Sequence, residues 1–426
     1  MKSGSGPWML LIYVGIIYLL IDLYVYRGIR ILMTDLDQPA KQVIKYLYWG
    51  ASFALLILII YNAFIARDAF STGQKLAFFN YSFAALLLFL LPKLVYAIVL
   101  AIDDIVHLSR LATNSFIKPV SDSGISRLTF INQIGLLLAS IPMGAIIYGV
   151  LKGRFDFNVK KEMLSFDHLP SSFDGIKVVQ ISDMHLGSFY NNYAPVEKAI
   201  EKINDLQPDL LLFTGDMVNN FAQETEGWAP VLSKLKAKYG KYSILGNHDY
   251  GDYRQWDRAE DKLANFEAIC KFHKTIGFKL MMDENESIQI NDDKIRLIGV
   301  QNWGMKGGLR KQYGDLQKAL EGSYDKEFKI LMSHDPSHWE GQVLTESNID
   351  LTLSGHTHGM QFGIRIPGFQ WSAVKYIYKQ WAGLYSKGNR HIYVNAGFGY
   401  IGFPGRVGIS PEITEITLKS ALLGHT

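Results

Sequence analysis

Seven side chains of metal-ligating type stand at the ends of apolar runs: Asp183, His185, Asp216, Asn247, His334, His356 and His358. His248 and Asp249 follow Asn247 directly, and LTLSGHTHGMQ sets His356 and His358 one residue apart between Gly355 and Gly359. Every donor is nitrogen or oxygen, a set that suits Mn, Fe, Zn, Ni or Mg and disfavours a structural thiolate zinc site. Seven ligands are too many for one ion. With one carboxylate bridging they divide into two four-ligand sets, an arrangement that places ions about 3.5 to 4 Å apart, activates water and neutralises phosphoryl charge. A lone histidine after a strand is usually a hydrogen-bonded structural residue. Here five of the chain's 11 histidines share that placement.

The runs that carry these residues are short and rich in branched side chains: IKVVQIS, DLLLFTG, YSILG, FKILMS and IDLTLSG, joined by IRLIGV, HIYVNAG and EITEITL. They read as strands of an α/β domain over 155–426, and APVEKAIEKINDL has the spacing of a crossover helix. The carboxyl ends of such strands form the rim where ligands bind, so stretches far apart in sequence converge on one locus. Gly215, Gly246 and Gly355 precede the polar groups, where a missing Cβ permits close backbone approach.

Residues 1–154 have a different texture. Four nearly charge-free runs, near 8–27, 46–65, 76–102 and 130–151, each match the roughly 20 residues of a bilayer-crossing helix. A multi-pass membrane protein follows, with the bilayer as partner. Lysines and arginines divide evenly between the two faces, so the side carrying 155–426 is undetermined. Asp22 and Lys93 interrupt the runs and are expected to reach the interface, Lys93 by snorkelling. A net charge of +3 lacks the positive field that nucleic-acid binding requires. The one cysteine, Cys270, excludes an intrachain disulfide.

The order Asp-x-His, Gly-Asp, Gly-Asn-His-Asp, His, Gly-His-Thr-His resembles the calcineurin-like metallophosphoesterase family over 155–426. PGFQ, WAGLY, IYVNAGFG and SPEITEITL are similar to its membrane-associated bacterial branch, of the YkuE type and the lipid A pathway pyrophosphatases. The resemblance implies two β-sheets flanked by helices, here behind an all-α four-helix membrane region. It implies two divalent ions, manganese foremost: Asp183, His185 and His358 on one, Asn247, His334 and His356 on the other, and Asp216 bridging. His248 is then free to face the substrate as a catalytic imidazole, with Asp249 orienting it. Attack by a metal-bridging hydroxide on a phosphate ester or pyrophosphate, lipid-linked in this setting, is the implied reaction.

Two departures bear on substrate choice. Met360 replaces a usual glycine, and GVQNWGM lacks the branch's acidic residue. Asp335 and His338 read as structural neighbours of the site. FQWSAVKYIYKQWAGLY interleaves aromatics with Lys375 and Lys379, a pattern suited either to a bilayer surface or to a partly buried helix covering the site. The rival reading is a membrane scaffold with an inactive phosphoesterase domain, marked by a missing ligand; none is missing. Nucleotide or phosphoprotein substrates are the alternatives within the enzyme class.

Overall fold

The computed structural model describes residues 6–69, 74–113, 127–304 and 311–421. In lipid a backbone must satisfy its own hydrogen bonds, so long apolar runs form helices. Four are present: α1 (Gly6–Leu32), α2 (Gln38–Ala69), α3 (Gln74–Thr113) and α4 (Arg127–Leu151). Among the described residues, Gln38–Asn62, Leu76–Ser109 and Arg127–Phe155 are long and apolar enough to cross a membrane. The expected span near 8–27 lies in α1, whose side chains up to residue 12 are outside the described set. Among the described residues, 6–69 and 78–148 cluster as one compact unit, and 74–77 with the chain from Gly149 onward as another.

Within the helical unit, Asp22 and Lys93 do not reach an interface. Their side chains are 0% and 11% exposed, and Lys93 Nζ lies 2.6 Å from Asp22 Oδ1. Lys93 also donates to Tyr18 Oη at 3.1 Å and Ser52 Oγ at 2.9 Å, while Tyr48 Oη donates to Asp22 Oδ1 at 3.1 Å. Charges in an apolar medium are costly unless paired, and mutual neutralisation between α1 and α3 replaces the expected snorkelling.

Among its described residues the second unit contains fourteen strands: β1 (Asn158–Phe166), β2 (Lys177–Ile181), β3 (Leu210–Phe213), β4 (Gly240–Ser243), β5 (Lys279–Leu280), β6 (Glu284–Ile290), β7 (Asp293–Gly299), β8 (Lys329–Met332), β9 (Leu351–Ser354), β10 (Ile364–Ile366), β11 (Phe369–Trp371), β12 (Gly383–Lys387), β13 (Arg390–Val394) and β14 (Glu412–Ser420). One six-stranded sheet has the order β1-β14-β2-β3-β4-β5 and the other β12-β13-β9-β8-β7-β6; β10 and β11 form a separate hairpin. Parallel strands covered on both faces read as unbroken apolar runs, and β3, β8 and β9 are buried at every residue.

Val178, Leu210, Leu212 and Ile416 of the first sheet pack in one core with Leu297, Ile330, Met332 and Leu353 of the second, which makes the pair a sandwich. On the outer face of the first sheet, helix α5 (Ala194–Asp205) buries Val196, Ala199, Ile200 and Ile203 against Val179, Leu211 and Phe213. That stripe recurs at helical spacing and completes a β2–α5–β3 crossover. The α/β sandwich behind a helical region is the architecture that the resemblance implied.

Candidate metal centre

Loops leaving β2, β3, β4, β8 and β9 supply all seven sequence-predicted ligands, and the two sheets bring them to one place. Their backbones are unusual. Asp183, His185, Asp216, His356 and His358 all have positive φ, between 48° and 74°. Non-glycine residues rarely occupy this region, and clusters of them occur where packing enforces a functional geometry. Close approach explains two glycines. A Cβ on Gly355 would overlap Ser182 Oγ and Asp183 Oδ2, and one on Gly246 would overlap Asp216 Oδ1.

Two clusters result, each with ligand atoms within 4.8 Å of one another: Asp183, His185 and His358, then Asp216, His334 and His356. In the first, His358 Nε2 lies 3.1 Å from both Asp183 Oδ1 and His185 Nε2. In the second, His334 Nε2 lies 3.1 Å from Asn247 Oδ1 and 3.3 Å from His356 Nδ1. Asp216 Oδ2 touches both, 3.5 Å from His185 Nε2 and 3.2 Å from His334 Nε2.

The histidine tautomers suit cation binding. His185 Nδ1 meets Val218 O at 3.2 Å and His334 Nδ1 meets Thr214 O at 2.7 Å. A carbonyl only accepts, so each Nδ1 carries a hydrogen and each Nε2 is the ring nitrogen that faces the clusters. Burial pushes His356 down to about 4 and His185 well below its ordinary value, which keeps both neutral. Burial opposes a charge on His334 as well, but the Asp216 and Asp183 carboxylates outweigh it and raise that imidazole to about 10.

His248 lies outside both clusters. Its Nδ1 donates to Asn219 O at 2.7 Å, its backbone N–H donates to Asp216 Oδ1 at 2.9 Å, and Tyr253 stacks on its ring at 4.6 Å. Asp249 does not orient this imidazole. It is fully buried and accepts the backbone N–H groups of Asp216, Met217 and Gly246 at 2.9 Å and of Val218 at 3.3 Å. In the tight turn after β4, neighbouring side chains diverge, so adjacency in sequence did not become contact.

Several neighbours were not legible as site residues. Tyr378 Oη lies 2.8 Å from His356 Nε2, and the buried Arg406 Nη2 lies 3.1 Å from His358 Nδ1. Tyr378 and Trp381 of the aromatic-rich segment are buried, at 6% and 4% exposure, so this part of it covers the site instead of lying at a bilayer surface. Asp335 stands 3.7 Å from His356 Nε2, whereas His338 bonds Ser333 and Gln342. Met360 is exposed beside the centre, and Met305 of GVQNWGM lies outside the described residues.

Comparison with known proteins matches residues 6–154 to the family described as "Probable Calcineurin-like phosphoesterase, transmembrane domain" and residues 176–360 to "Calcineurin-like phosphoesterase". The metallophosphoesterase YkuE of Bacillus subtilis is 34% identical over 257 residues, 59% of this chain and 82% of that protein. A Helicobacter pylori metallophosphoesterase is 27% identical over 401 residues, 92% and 94% of the two chains. "Transmembrane protein with metallophosphoesterase domain" of Danio rerio is 28% identical over 280 residues, and the match covers 65% of this chain and 60% of that one.

Proposed function

Because the chain belongs to the calcineurin-like metallophosphoesterase family and is a multi-pass, metal-dependent phosphoester hydrolase, we propose that it works with two divalent ions on a phosphate ester or pyrophosphate carried by a lipid. Asp183, His185 and His358 would hold one ion and Asn247, His334 and His356 the other, with Asp216 shared. The mixed nitrogen and oxygen donors favour manganese, with iron, zinc, nickel and magnesium as competitors. One observation carries the reading: a single oxygen, Asp216 Oδ2, stands within 3.5 Å of imidazole nitrogens from both clusters.

Divalent ions bound there supply Lewis acidity, lowering the pKa of a water and offsetting phosphoryl charge. The chain's own residues do the rest. Asp249 pins the backbone that presents Asp216, and Gly246 lets that carboxylate approach. The Asn219 carbonyl fixes the His248 ring by its Nδ1–H, which leaves Nε2 to stabilise a phosphoryl oxygen and protonate the leaving group. The membrane helices support a lipid-borne substrate, since a soluble ester requires no such anchorage.

The test is full-length protein reconstituted with Mn²⁺. Elemental analysis should find about two ions per chain, and an aryl phosphate should be hydrolysed until a chelator is added. Only trace metal after reconstitution would overturn the dinuclear reading.

A further inference from the structure

The hairpin β10–β11 has its polarity inside out. Its register pairs Ile364 with Trp371, Arg365 with Gln370, and Ile366 with Phe369. Side chains of directly paired residues share a face, and alternate pairs take opposite faces. One face therefore carries Ile364, Trp371, Ile366 and Phe369, and these are 37–59% exposed. On the other face the half-buried Arg365 reaches the protein, its Nη1 meeting the buried Glu412 Oε2 at 2.5 Å, and Gln370, itself exposed, donates its Nε2–H to Ala382 O at 3.3 Å. A sheet facing water alternates the other way, apolar in and polar out. Tyr376 and Ile377 add 75% and 56% exposed apolar surface just downstream. Contiguous patches of this kind mark interaction sites.

Two observations identify the occupant. The last turn of α4 belongs to the same compact unit as the hairpin, and Gly149 O there accepts the Arg406 N–H at 3.1 Å. The next residue, Val407, donates to Gln361 O at 2.7 Å and accepts from Gly363 N at 2.9 Å. Ile364 follows at once, so a short hydrogen-bonded run, 406–407 and 361–363, connects Gly149 to the hairpin within this unit. Lys375 adds charge complementarity, with its Nζ 5.3 Å over the Tyr376 ring, a cation and an aromatic paired as at anionic membrane interfaces.

We infer that β10–β11 inserts its apolar face into the bilayer surface and holds the metal centre's rim against the membrane. The link to the centre is direct. Ser372, next after β11, donates to Gly359 O at 2.7 Å, and Tyr378 reaches the ligand-type His356. Insertion to acyl-chain level places these side chains about 5–10 Å into the headgroup boundary. The inference rests on membrane anchorage and is independent of which ester is cleaved.

The experiment uses full-length protein in nanodiscs of phosphatidylcholine with phosphatidylglycerol. In a Cys270→Ser background, a nitroxide is placed at Ile366→Cys, at Phe369→Cys or, as a reference, at Tyr324→Cys, a position 72% exposed elsewhere on the unit. Labels at 366 and 369 should collide more with oxygen than with an aqueous nickel chelate, and the label at 324 should do the reverse. Water-like accessibility at both hairpin positions would overturn the inference. So would protection from both reagents accompanied by spin–spin broadening, which would assign the face to a second copy of the chain. Unfolding midpoints matching the parent confirm that labelled proteins are folded, and the two hairpin positions serve as independent probes should one disturb packing.

Discussion

Asp216 Oδ2 faces imidazoles that arrive on strands of different sheets, so its loss leaves two cationic sites with nothing between them. Asp216→Ala is expected to be the most damaging single ligand change, removing metal and activity together; full occupancy by elemental analysis in that variant would contradict the bridge. His248→Asn should separate the two readouts, retaining metal while kcat falls by roughly 10² to 10⁴. Normal turnover on a substrate with a poor leaving group would reduce His248 to a structural residue. Protons compete with metal in the second cluster. Because Asp216 and Asp183 raise His334 to about 10, that imidazole is charged near neutrality without an ion, and binding must expel its proton. Metal affinity should therefore fall as pH drops, and calorimetry in buffers of different ionisation enthalpy should detect proton release. Gly355→Ala is a steric test of the same centre, expected to lose metal because Cβ overlaps Asp183 Oδ2.

Between elements, a buried carboxyl and a buried ion pair join segments that lie far apart in the sequence. Asp249, after β4, holds the N–H groups of 216–218 after β3, so Asp249→Ala leaves buried donors without partners. Each such orphan costs about 1–3 kcal/mol, and a clear fall in the thermal unfolding midpoint is expected. In the helical unit, Lys93→Met should be worse than Asp22→Asn combined with Lys93→Met, because the single change strands a buried carboxylate at a cost of about 3–5 kcal/mol. Unfolding in detergent reads this order, and additive losses would show that the pair is uncoupled. Strands β2, β3, β8 and β9 were legible in the sequence because burial on both faces leaves continuous apolar runs. β1 was not: NVKKEMLSF is buried at only two of its nine positions, and its polar residues mask the pattern. The hairpin β10–β11 escaped because its apolar residues face outward. The ligands themselves were legible from residue type and position, whereas their left-handed backbones and the inward turn of Asp249 depend on contacts made only after folding.

For the whole chain, anchorage and chemistry should separate on cutting. A protein starting at Gly149 is expected to retain hydrolysis of a soluble aryl phosphate while losing most activity on lipid esters in vesicles, compared with the full-length chain. Equal efficiency of both on every lipid, with preference for a nucleotide or phosphopeptide, would leave the helices as a tether alone. The sheet order carries one more consequence, for biosynthesis. β14 lies between β1 and β2 and pairs with both, Asn158 standing opposite Glu412 and Thr414 opposite Gln180. A ribosome must add about 250 residues after β1 before its partner exists, a wait on the order of ten seconds or more at ordinary elongation rates. Throughout that interval the nascent β1 is unpaired and the first sheet, behind the Asp183, Asp216 and Asn247 loops, is incomplete. A stop codon just before Glu412 should therefore yield a chain that its four helices still deliver to the membrane but that quality-control proteases remove.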